Sequence, residues 1–129
     1  MAKSVHDDVL DGALAVLRLQ ATQISVCGPT QPTTYEHATT GTGTGYRLAI
    51  ESALDSTDFV IADGDGGGRK VTIAEQATLP VSITASADFV CLCDVDDRLL
   101  FVTTCTEQVL TSGNTVTIPE WKITIGDPT

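Results

Sequence analysis

Between Arg98 and Asp127 the chain reads RLLFVTTCTEQVLTSGNTVTIPEWKITIGD, and this stretch limits the possible folds more than any other. Leu100–Thr104, Thr115–Ile118 and Trp121–Ile125 are short β-branched runs, parted by Ser-Gly-Asn and by a lone proline. Side chains branched at Cβ pack well on a pleated surface, while Gly, Asn and Pro supply the turns between strands. The segment predicts tightly connected antiparallel strands. Upstream, Arg47–Glu51, Phe59–Ala62, Lys70–Ala74, Val81–Ala85 and Phe89–Cys93 continue the pattern. A spacing of roughly ten residues, with turn signals between, predicts a mainly β chain of about seven to nine strands, folded as an antiparallel sandwich or barrel.

The first forty-five residues read differently. Leu10, Leu14, Leu17 and Ala21 form an apolar stripe at the helical period, with Val9, Ala13 and Val16 beside it. Ser4 is the expected cap, with Asp7 three residues on, and Asp7, Asp8 and Asp11 suit the positive end of the helix dipole. One N-terminal α-helix over residues 5–20 is predicted, covering an open sheet face or docking on another subunit. Gln23–Cys27 is a first short strand, stopped by Gly28-Pro29. Residues 28–45, GPTQPTTYEHATTGTGTG, keep no hydrophobic period and read as an extended Thr/Gly/Pro-rich arm. Residues 46–129 are then the β-domain, within a single domain spanning 1–129.

Seven Lys+Arg stand against 17 Asp+Glu, a net charge of −10. Nucleic-acid affinity comes mainly from cations that neutralise phosphates, so neither free nucleic acid nor an anionic membrane is an expected partner. No run approaches the roughly 20 apolar residues of a membrane span. MAKSVHDDVLDGALAVLRLQ places two aspartates before its apolar stretch, unlike a signal peptide, so folding in a cytoplasm is expected. Cysteines stand at 27, 91, 93 and 105. Their spacing lacks the paired C-x2-C of zinc sites, and buried thiols acting as small hydrophobes are the simpler reading. Cys27, ahead of the arm, is expected to be the exposed one and the candidate for an intersubunit disulfide. Cys105 is placed near Cys91 at the open end of a hairpin.

Two acidic clusters are the candidate cation sites. Asp63 and Asp65, in DGDGGG, resemble the start of a calcium loop, because hard cations want several oxygens on a curled backbone. Position twelve of such a loop falls on Ala74 and not on a glutamate, so a hairpin turn with glycines at positive φ is the simpler reading. Asp94 and Asp96 sit in a second turn, DVDDR, which reads as a solvated hairpin connection. His6 and His37 have no partner at ligand or nucleophile spacing, and no G-x-S-x-G, P-loop or H-E-x-x-H is present. No catalytic residue, metal or cofactor is assigned, and the chain is not expected to be an enzyme. Tyr35 in the arm and Trp121 at the last strand join Leu10, Leu14 and Leu17 as candidate interface residues.

TTYEHATT (33–40), DFVIADGDGGGRKVTIA (58–74) and FVTTCTEQVLTSGNTVTIPEWKITIGDP (101–128) together resemble a group of small proteins encoded in the structural-gene blocks of tailed bacteriophages. The opening MAKSVHDDVLDGAL is similar as well. The resemblance implies a virion protein assembled in the host bacterial cytoplasm, with no catalytic motif. In that setting a small acidic β-protein is most like a capsid decoration (cement) protein, a homotrimer bound to the major capsid protein. A head–tail connector or tail component is the alternative within the virion. A surface cation- or carbohydrate-binding module using the acidic turns is the alternative of another class.

Overall fold

The structure is a computed structural model and describes residues 4–40 and 46–127. Helix α1 (Asp7–Gln20) is followed by β1 (Gln23–Cys27), a short helix α2 (Tyr35–Thr39) and β2 (Arg47–Glu51). Next come β3 (Phe59–Asp63), β4 (Arg69–Ile73), β5 (Gln76–Pro80) and β6 (Ala85–Cys93). The chain ends in β7 (Leu99–Leu110), β8 (Thr115–Ile118) and β9 (Trp121–Ile125). All named strand pairs are antiparallel, in sheets of order β2-β1-β6-β7, β3-β4-β9 and β5-β8. A single bridge, Ala49 to Val81, joins the edge strand β2 to the end of β5. The fold is mainly β, with open sheets packed as a sandwich.

Alternation along the strands decides which side chains meet. Ile24 and Val26 of β1 point into the main core, where they join Leu48, Leu92, Val71, Ile73 and Leu79 between the sheets. Gln23, Ser25 and Cys27 point to the other face of the same sheet, beneath α2. Strand β1 is thus central and covered on both faces, which accounts for the nearly unbroken apolar run in QISVC. The β-domain therefore does not begin at residue 46: β1 lies between β2 and β6.

Helix α1 packs across β3 and β4 and buries Leu10, Leu14 and Leu17 in the chain's own interior. These three leucines are a correction to the interface expectation, because their stripe is already covered and cannot be offered to another subunit. The cap also differs: His6, not Ser4, accepts the Asp8 N–H at its Nδ1, 3.1 Å away. Arg69 of β4 clamps the helix with a two-toothed pair to Asp11, at 2.7 and 3.2 Å.

The 28–45 arm is a second correction over its described part. Thr34 caps α2 by accepting the His37 N–H, and Arg47 donates to the Thr39 carbonyl at the helix end. Ala38 and Pro32 are buried, and Tyr35 is partly buried, its hydroxyl accepting from Gln23 Nε2 at 2.9 Å. Residues 41–45 lie outside the described residues. A third difference concerns Val81–Ala85, where a strand is expected; the strand lies earlier, at Gln76–Pro80, with Thr78 at φ 59°.

Candidate functional site

The first acidic turn closes the β3–β4 hairpin, as the glycine reading expects. Gly64 N–H donates to the Gly68 carbonyl, and Gly67 and Gly68 take φ of 113° and 69°. A side chain at Gly68 would also strike the Ile125 carbonyl of β9, so the turn needs glycine for two reasons. The aspartates are occupied by cations of the chain itself. Asp63 pairs with Arg69, and Asp65 accepts from the ammonium groups of both Lys70 and Lys122. Lone pairs that a calcium ion needs are therefore engaged, and Asp65 serves instead to tie β4 to β9.

Asp94 is not a solvated turn residue. It is 2% exposed, and one carboxylate oxygen accepts the N–H groups of Asp96, Asp97 and Arg98 at 2.9–3.0 Å. Its other oxygen takes the Arg98 guanidinium. The Arg98 N–H and guanidinium, followed by the Asp97 and Asp96 N–H groups, hold the carboxyl down at about 2. Asp94 and Asp96 thus build a hairpin closure, with Asp96 contributing its backbone and leaving its side chain exposed. The two acidic turns adjoin opposite ends of α1. Arg69 fixes the first beside Asp11 of α1, whereas Thr22, beyond the far end of α1, bonds the Cys93 carbonyl beside the second. At 1.5 Å per residue those points are about 15 Å apart along the helix. Among the described residues no three His, Cys, Asp or Glu side chains are grouped to hold a metal ion.

The cysteines divide by face. Cys27, Cys91 and Cys93 are fully buried with Ala38 between the four-stranded sheet and α2. Small side chains there let the helix approach the sheet closely. Cys27 and Cys91 have their sulfurs 3.8 Å apart, and the Cys91 thiol is pushed well above its ordinary value, first by its hydrogen bond with Cys27 and then by burial. Burial likewise raises Cys93 to about 12. Cys27 as the exposed cysteine is overturned, and with it the candidate intersubunit disulfide: the arm folds over this residue. Cys105 does not approach Cys91 either. Cys91 pairs with Val102, and Cys105 packs on the opposite face, against the main core. Cys105 is the partly exposed cysteine.

What sequence reasoning missed is a seam on the β7 side of the sandwich. Strands β7 and β9 are the outer strands of their sheets, and β8 pairs only with β5. Side chains from all three line two shallow clefts of about 240 and 190 Å³ that share Val90, Cys105, Ile118 and Pro119. Trp121 lines the second, half-buried against Phe101 with ring centroids 6.0 Å apart, and its indole N–H has no acceptor. A larger polar depression of about 380 Å³ lies between α1 and β3, but its Arg69 is already held by Asp11 and Asp63. The sequence signal for the seam was the length of the β7 run, LLFVTTCTEQVL, with one charge in it. No family model, curated protein or solved structure matches the chain.

Proposed function

We propose that this chain is a structural protein of a tailed-phage particle, seated in many copies on the outer capsid surface as a homotrimer bound to the major capsid protein, where it stabilises the shell. The reading starts from the resemblance of three segments to small phage structural proteins. The observation that carries it further is the disposition of charge. Of the described cations, Arg47, Arg69, Lys70, Arg98 and Lys122 are each bonded to a group of their own chain. With 17 Asp+Glu against 7 Lys+Arg the chain carries a net charge of −10, so most of its carboxylates have no cation of their own chain beside them. Such a surface stays soluble until it meets a less acidic acceptor, and it repels the phosphates of a genome.

Copy number tests the proposal. The chain is quantified against the major capsid protein in purified particles by mass spectrometry. Copies in the hundreds support decoration; six or twelve move the protein to the neck, the alternative within the virion. The cation-module alternative is tested by calorimetry with calcium and by melting with and without chelator. The engagement of Asp63, Asp65 and Asp94 by Arg and Lys side chains predicts no response.

A further inference from the structure

We propose that the seam between β7 and β8–β9 is a docking site for an extended peptide strand of a partner protein, with basic residues flanking an alternating apolar segment. The strand pairs with the free edge of β7 and sets alternate apolar side chains against Cys105, Ile118 and Trp121. The inference stands apart from the capsid reading, because it concerns what the seam takes and not which particle carries it.

Three observations lead there. The first is the edge. Strand β7 has twelve residues and pairs on one side only, with β6. A row of unpaired N–H and C=O groups is a template for another strand, and proteins normally blunt it with Lys, Pro or a bulge. Here Cys105, Thr106 and Glu107 do bulge, facing Asp88 alone between the Ala87–Gln108 and Phe89–Thr104 pairs. Phe101 to Thr104, however, runs in regular register without a charge or a proline. That stretch is open to pairing.

The second observation is shape. The two clefts, of about 240 and 190 Å³, share Val90, Cys105, Ile118 and Pro119 and so form one groove along β7, β8 and the start of β9. An elongated occupant fits such a groove, and a strand presents a side chain to it at every second residue.

The third is charge. None of the residues lining the clefts is charged. Those beside the lining in sequence are Asp88, Glu107, Glu120 and Lys122, and Lys122 is bound to Asp65. Asp88 acts on the Cys105 thiol, and Glu107 stands exposed in the bulge that faces Asp88, so two carboxylates stand at the bulged part of the groove; Glu120 opens instead onto a neighbouring depression with Lys70 and Lys122. Asp88 and Glu107 favour a partner with cationic residues beside its apolar segment.

Trp121 is the only tryptophan of the chain and lines the groove, so its emission reports occupancy. The probes are peptides Lys-Lys-x-Thr-x-Thr-x-Lys-Lys, with x as Val, Ile, Leu or Phe, titrated into the full chain. At least one is expected to give a saturable change below about 1 mM, and Glu-flanked or backbone N-methylated versions of it to bind at least roughly tenfold more weakly. Cys105→Phe, which fills the groove, is expected to abolish the response with an unchanged circular dichroism spectrum. The double change Asp88→Lys and Glu107→Lys is expected to reverse the preference for flanking charge, and covers the case in which the first variant misfolds. A panel without any saturable response overturns the proposal, as does equal binding of the N-methylated peptide. A chain that sediments as a dimer and refuses every peptide shows that a second copy fills the seam, and overturns it too.

Discussion

Asp94 shows how one side chain sets a turn and a pH dependence together. Its carboxylate satisfies three consecutive backbone N–H groups that the tight β6–β7 connection leaves without strand partners. The folded carboxyl titrates at about 2, against an ordinary 3.8. A depressed folded value stabilises the protein above the unfolded value, and that contribution is lost as pH falls through the folded one. Melting temperature is therefore expected to fall between about pH 4 and pH 2, and Asp94→Asn to flatten that fall while lowering stability at pH 7. Thermal melts of both proteins across that range check it; an unchanged slope in the variant defeats the assignment. Leu14 makes the complementary case in the core. It is 1% exposed, so Leu14→Ala is expected to cost about 2–5 kcal/mol by urea denaturation. Val16→Ala, on the outer face of α1, is expected to stay within about 0.5 kcal/mol. Equal costs at the two positions would mean that the helix docks through the wrong face.

The short helix α2 turns a Thr/Gly/Pro-rich arm into a cover for three thiols. Five residues hold no hydrophobic period, so the arm reads as structureless even though Ala38 and Tyr35 fall three apart on one face. The available signal was the Thr34 cap ahead of Tyr-Glu-His-Ala, too short to separate from a turn. Elements with an intrinsic period or strong β-branching were legible: β1, β2 and β8 occupy the residues their runs predict. Strand β5 was not, because Pro80 at its end is a signal against a strand, overridden by burial of Leu79 and pairing with β8; the strand bends at Thr78, which takes a positive φ. Strands β6 and β7 extend beyond their apolar runs because Ala85–Ala87 and Gln108–Leu110 pair with each other. Sequence shows the run; the partner shows the length. The cover predicts thiol chemistry. A thiol reagent should label Cys105 quickly in the native chain and leave Cys27, Cys91 and Cys93 protected. Ala38→Glu, which forces a carboxylate under α2, should raise labelling of those three at least roughly tenfold by local opening. Protection that survives the variant would mean that the sheet alone shields them.

At the scale of the whole molecule, charge and apolar surface give opposite instructions about salt. The acidic excess acts over a distance of about 8 Å at physiological ionic strength and shrinks to about 3 Å at 1 M. The class of the fold was legible from strand spacing, and so was the sign of this charge. Its arrangement was not, since only the folded chain shows Arg69, Lys70 and Lys122 consumed by Asp11, Asp63 and Asp65. Exposed Val9, Val16 and Leu19 on α1 are the competing surface, because apolar docking is not weakened by screening. If attachment to an acceptor runs through the acidic surface, binding should weaken steadily between about 0.05 and 0.5 M sodium chloride, chiefly through a slower on-rate. Attachment through the outer face of α1 should hold or strengthen over the same range. The measurement is surface-plasmon kinetics on immobilised capsids, with Val16→Asp beside the native chain. A salt-insensitive affinity that Val16→Asp abolishes would move the contact to α1, whereas a steep salt slope untouched by that change leaves it with the carboxylates.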